Sequence, residues 1–192
     1  MRQLARGVLD GTSVERLLAV RGGSHERAWS ELTAWGAVAL LSGVDVDWLG
    51  GRQRLRLKAR LRDLSGARLV ERARGRAVVA RYQAHSSAGR YLAAEIVDTA
   101  HMARRLGLTE TTNIDGYLMA DAVAGVVARH GLRRDDEGRV TLRDTTMEIH
   151  LVRDLSVRGV VLAALDLAES LDVRERRAGL DALDRALEEF DG

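Results

Sequence analysis

Between Arg52 and Leu64 the chain reads Arg-Gln-Arg-Leu-Arg-Leu-Lys-Ala-Arg-Leu-Arg-Asp-Leu, six cations and one acid in a single run. No soluble fold can bury such a segment whole. Leu57, Leu61 and Leu64 stand at i, i+4 and i+7, which is the stripe of an amphipathic helix. At about 100° per residue, Arg52, Arg56, Lys58 and Arg62 lie around the opposite side, with Arg54 and Arg60 flanking the seam. Gly50-Gly51 breaks the chain just before it. The spacing therefore predicts a surface helix over 52–64 with leucine beneath and cation outside, a form suited to a phosphate-lined groove.

This run is the sharpest part of a wider asymmetry. The formal net charge of the 192 residues is only +2. Yet residues 1–90 hold 17 Lys/Arg against 8 Asp/Glu, and residues 91–192 hold 13 against 20. A basic half joined to an acidic half suggests a polyanion-binding surface coupled to a part that stays off the polyanion. The 29 arginines against a single lysine, Lys58, fit a genomic bias and say little about function. The chain has no cysteine, which excludes a disulfide framework, a zinc knuckle, an iron–sulfur site and a thiol nucleophile. It has no proline, which excludes polyproline recognition segments and stiff Pro-rich linkers. No apolar run resembles a signal peptide or membrane span, so a cytoplasmic protein is expected.

The flanks of the basic helix read as follows. Ser24 caps a helix carrying Ala28, Trp29, Leu32 and Trp35, and Gly36 is placed to end it. Ala37–Leu41 is β-compatible, and Asp45–Leu49 reads as a second short helix. After the basic helix, Leu69–Ala73 reads as a strand, Arg74-Gly75-Arg76 as a tight turn with two cations at its tip, and Ala77–Tyr82 as the returning strand. This order of elements over 24–82 resembles the winged helix-turn-helix transcriptional regulators of the broad ArsR/MarR type. The passage Leu64-Ser-Gly-Ala-Arg-Leu-Val70 resembles their transition from recognition helix to wing, and the spacing of Val46, Gly51, Leu57, Leu61 and Leu64 resembles their helix-turn-helix core. Two positions depart from that pattern: Arg68 stands where glycine is usual, and Gly50 where a buried leucine is common. The resemblance implies that Arg52, Arg54, Arg56, Lys58 and Arg62 lie in or beside the major groove of double-stranded DNA, and that Arg74 and Arg76 approach from the wing. It also implies a homodimer reading two half-sites.

His85–Gly89 is small, polar and Gly-ended, and marks a boundary between a winged domain over 1–85 and an acidic α+β domain over 90–192. The fold class expected is thus mainly α with a small β component. In the first 20 residues, Leu4, Val14, Leu17 and Leu18 share one helical face. Beyond the boundary, Tyr91, Leu92, Ile96, Val97 and Met102 predict a helix ending near Gly107. Tyr117 to His130 predicts another, with Gly131 as its cap. Asp135–Gly138 is a turn signal between Leu132–Arg134 and Arg139–Arg143, which predicts a hairpin. Met147, Ile149 and Leu151 alternate with Glu148 and His150 at strand period. Val160–Ala168 is taken as a buried helix. Asp172 opens the last helix, whose stripe is Leu180, Leu183, Leu187 and Phe190.

No catalytic constellation accompanies these elements. Arg21-Gly-Gly-Ser24 lacks the Gly-Lys-Ser/Thr of a P-loop, and no Gly-x-Ser-x-Gly or His-Glu-x-x-His occurs. Glu148 and His150, with His101 as a conceivable third ligand, read better as the solvated face of a strand than as a metal site. Asp45 and Asp47 read as caps of a short helix. Tyr117, Met119 and Trp48 read as core, with an effector pocket as the other possibility. No enzyme activity, cofactor or metal is expected. The favoured reading is a DNA-binding transcriptional regulator, a repressor whose acidic half dimerises or senses a small-molecule effector. The alternative is an antitoxin-like module whose acidic half engages a partner protein.

Overall fold

The structure, a computed structural model, describes residues 3–5, 8–9, 27–85, 88–108 and 113–190. The expected helix over the first 20 residues, and Ser24 as a cap, lie outside these. A two-stranded ribbon, β1 (Gln3–Ala5) and β2 (Val8–Leu9), precedes three helices: α1 (Glu31–Leu41), α2 (Gly51–Arg62) and α3 (Gly66–Ala73). Next come β3 (Val78–Gln83), α4 (Gly89–Glu95), β4 (Val97–Asp98), a 3-10 segment (Ala100–Leu106) and β5 (Ile114–Met119). The chain closes with α5 (Val123–Arg129), β6 (Arg133–Arg134), β7 (Val140–Thr145), α6 (Ile149–Arg158), α7 (Val161–Ala168) and α8 (Val173–Glu188). The class is α+β.

The sheet runs in the order β4-β5-β7-β3-β6, antiparallel except for the central parallel pair β5–β7. It separates two cores. On one side, Tyr82, Leu92, Leu118, Val140 and Leu142 pack under α4 and α5. On the other, α1, α3, α7 and α8 bring Trp35, Val38, Leu69, Leu162, Leu165 and Leu183 together, with Tyr117 contributed by the sheet. Both halves of the chain build this larger core, so the expected boundary at 85–90 runs between neighbouring parts of one sheet rather than between two cores.

The helical region before β3 differs from the sequence reading, and packing explains how. Gly36 does not end α1: it sits mid-helix, where a Cβ would stand 2.7 Å from Leu49 Cδ1 and 3.2 Å from Leu57 Cδ2. Glycine lets the strand-like run Ala37–Leu41 continue as helix in close contact with α2. Because α1 is wrapped by neighbours, Ala34 through Leu40 are all buried and no amphipathic period appears. Asp45–Leu49, expected as a short helix, is an irregular link.

The expected wing hairpin is not formed. Leu69–Ala73 belongs to α3, with Ser65 capping at the Arg68 N–H and Leu69 and Ala73 buried one turn apart. Arg68 is therefore ordinary helix, and among the described residues no non-glycine adopts a positive φ. Arg74–Arg76 is a 3-10 turn, and β3 pairs with β7 and β6 instead of with its upstream neighbour.

Downstream, the helix expected across 91–102 stops at Glu95; the chain then passes through β4 and the 3-10 segment to Gly107 (φ 75). Ile114–Met119 is strand, and only Val123–Arg129 of the helix expected from Tyr117 is α-helical, ending before Gly131 (φ 57). The two arms of the expected hairpin, β6 and β7, do not pair with each other because β3 lies between them. The strand expected at 147–151 is the start of α6, and Glu148 and His150 are both exposed. Helices α7 and α8 fall where the sequence places them, with Asp172 accepting the Arg174 and Glu175 N–H groups at 2.7 and 3.1 Å. Among the described residues, no helix is long and apolar enough to cross a membrane.

Candidate functional site

Helix α2 is the strongest candidate surface. Leu57 and Leu61 are buried against α1 and its neighbours, and Leu64 just past the helix end is half-buried on the same core. That stripe fixes the rotation of the helix and turns Arg52, Arg56, Arg60 and Arg62 outward; Arg54 and Lys58 are half-buried at its margins. Arg54 Nη1 meets Asp45 Oδ1 at 3.1 Å, across the link from α1. The Gln53 side-chain amide oxygen Oε1 accepts the Gly50 N–H at 3.3 Å, tying the first turn. No acid occurs between Gly51 and Arg62, so positive charge accumulates along the whole face. Arg60, which the leucine stripe alone puts at the seam, belongs to the exposed set.

The two turn arginines separate. Arg74 is exposed. Arg76 is 1% exposed and its guanidinium is spent inside the molecule. It donates to Tyr117 Oη at 2.8 Å, to Asp166 Oδ1 at 2.8 Å and to both carboxylate oxygens of Glu169 at 2.8 and 2.9 Å. A second buried guanidinium completes the cluster. Arg143 donates to both oxygens of Asp115 at 2.6 and 2.9 Å and to Glu169 Oε2 at 2.5 Å. Tyr117 Oη donates to Asp166 Oδ1 at 2.6 Å and Thr99 Oγ1 to Asp166 Oδ2 at 2.7 Å. Trp35 Nε1 donates to the Arg76 carbonyl and to Thr145 Oγ1, and the Trp35 and Tyr117 rings meet edge to face at 5.4 Å.

Strand alternation makes this cluster. Asp115 pairs in register with Thr141, and Tyr117 with Arg143, so all four side chains project from the same face of the parallel pair, beneath α7. Burial alone would raise the Glu169 carboxyl, but the Arg76 and Arg143 guanidiniums pull it down to about 2. Burial lifts Asp115 to about 6 in spite of Arg143. Burial also holds the Tyr117 phenol well above its usual range. At the end of β7, Glu31 gathers the Thr146 N–H at 2.6 Å and the hydroxyls of Thr145 and Thr146; these bonds overcome burial and keep its carboxyl low.

The polar period of two in Asp115-x-Tyr117 and Thr141-x-Arg143-x-Thr145 is the sequence signal for this cluster. It is masked because 117–130 also satisfies a helical pattern. Trp48 is partly buried against the larger core, where its indole donates to the Leu32 carbonyl at 3.1 Å. Among the described residues, no group of three or more His, Cys, Asp or Glu side chains is arranged to hold a metal ion. Comparison of the chain with protein-family models, with curated proteins and with solved structures gives no match.

Proposed function

We propose that the protein binds double-stranded DNA through the exposed face of α2 and acts as a transcriptional regulator. The observation that carries this reading is a continuous helical surface of Arg52, Arg56, Arg60 and Arg62, with no acid on the helix and two leucines anchoring it from below. Twelve residues give a helix about 18 Å long, enough to lie along a major groove about 12 Å wide. The succession of α1, the link from Ser42 to Gly50 and α2 supports reading α2 as the presented helix of a helix-turn-helix-like pair, with α1 behind it. Arg74, on the 3-10 turn that follows α3, keeps an outward position from which it can add a phosphate contact, whereas Arg76 is buried in the ion network.

A solvated arginine helix with no partner is the competing interpretation. Fluorescence anisotropy with labelled duplex DNA, read at several salt concentrations, separates the two. Phosphate binding gives an affinity that falls steeply with salt, with a log–log slope of about −0.9 for each phosphate neutralised. An ornamental charge face gives no measurable retention at physiological salt.

A further inference from the structure

A cavity of about 190 Å³ lies beside the buried charge cluster, between the polar face of β5 and β7, the 3-10 segment, and the α7–α8 turn. One part of its wall is apolar, formed by Ala100, Ala103, Ala163 and Leu167; the polar part includes Asp115, Thr141 and Arg143. We propose that this cavity is a binding site for a small organic cation, a primary amine or amidine on a short apolar body, with the Asp115 carboxylate as its counter-ion.

Donor and acceptor counts decide the sign of the ligand. Arg143 is already engaged through Nε, Nη1 and Nη2, to Asp115, Glu169 and the Asp166 carbonyl, so it has little left to offer an anion. Asp115 accepts only two of the roughly four hydrogen bonds a carboxylate can take. The ligand group that fits is therefore a donor. Charge points the same way. The cluster sets three carboxylates, Asp115, Asp166 and Glu169, against two guanidiniums, Arg76 and Arg143, leaving one negative charge without an internal partner. Asp166 is sealed at 4% exposure, whereas Asp115 keeps 27%. Asp115 is thus the member able to meet a cation from solution. The rim does not reverse the balance, since three acids, Glu137, Asp172 and Glu175, line it alongside two cations, Arg81 and Arg139. The volume is below the roughly 300 Å³ of a pocket for a drug-sized ligand, which sets the size class at a small metabolite.

This proposal rests on the cavity and is independent of DNA binding. Its test is calorimetric titration of the full chain with benzylamine and with benzoate, an anion of nearly the same shape. The expected result is saturable one-to-one binding of benzylamine, none of benzoate, and a loss of at least tenfold in benzylamine affinity in Asp115→Asn. A second variant, Ala163→Leu, fills the apolar wall without touching the charge cluster and is expected to abolish binding while Asp115 stays in place. It also keeps the test decisive should Asp115→Asn fail to fold. Absence of saturable benzylamine binding, equal binding of benzoate, or wild-type affinity in the Ala163→Leu variant or in folded Asp115→Asn overturns the proposal.

Discussion

Arg76 shows how little a residue's local sequence says about its fate. Next to Arg74 in a Gly-containing turn, it has the composition of a wing tip, yet it is the centre of a buried ion network. What draws it inward is remote in sequence: Asp166 and Glu169 on and beyond α7, and Tyr117 on β5. Truncating one member of such a network leaves buried charge without a partner, which costs about 3–5 kcal/mol. Arg76→Ala is accordingly expected to lower the midpoint of urea unfolding sharply, whereas Arg74→Ala leaves it nearly unchanged. Asp115 gives a second residue-scale expectation. Its carboxyl titrates near 6 in the folded protein against 3.8 for the ordinary group, so the folded state binds its proton more tightly. That contribution to stability is fully present below about pH 4 and is lost as pH rises through 6. Glu169, held near 2, works in the opposite sense: its contribution is present above the ordinary carboxylate range and lost as pH falls toward 2. Thermal unfolding of the wild type should therefore gain about 1.4 kcal/mol between pH 7.5 and pH 5 from Asp115, on the way to about 3 kcal/mol below pH 4. In Asp115→Asn this gain should vanish.

Elements carry a readable period where one face is wet and lose it where every face is covered; α7, buried almost throughout, is legible only through its alanine-rich composition. α2 and α8 each carry a stripe at helical period, and both stand where the stripe predicts, within two residues at their ends. α1 is buried through its middle turns, so Ala37–Leu41 has no period and its β-branched and apolar content misleads. α3 is only eight residues long, too short for its buried Leu69 and Ala73 to declare a period against the strand-like Leu69-Val70. β5 begins a segment whose Tyr117 and Leu118 face different cores, so the short period of two at Asp115 and Tyr117 is outweighed by the helical pattern that continues to His130. The polar cluster was illegible for a related reason: the parallel pairing of β5 with β7 sets Asp115, Tyr117, Thr141 and Arg143 on one face, and only tertiary packing adds Arg76, Asp166 and Glu169 to them. Two substitutions test the element-scale account. Gly36→Val forces a side chain into the α1–α2 contact, where overpacking costs about 1–3 kcal/mol. Leu61→Ala empties a fully buried site beneath the cationic face and costs about 2–5 kcal/mol. Both are expected to lower the urea midpoint, and Leu61→Ala to weaken DNA binding only as far as it unfolds α2.

At the scale of the molecule, the uneven charge gains a physical form. The basic excess is concentrated on α2, exposed to solvent, while the acids of α7 and the following turn are committed to neutralising Arg76 and Arg143 inside. The stripe of α8 is also spent internally: Leu183 and Leu187 are buried and Leu180 and Phe190 pack on the same core, so this helix is not a spare seam for a second chain. Among the described residues, the arginine face of α2 is a densely cationic, outward-facing surface that carries no acid. The most direct measurement is therefore DNA affinity, by anisotropy across a salt series, for the wild type and for Arg52→Ala/Arg56→Ala/Arg60→Ala. The account predicts a variant that is folded by circular dichroism, binds DNA at least tenfold more weakly, and has a salt slope shallower by about one for each phosphate contact removed. Wild-type affinity and slope in that folded variant would contradict it.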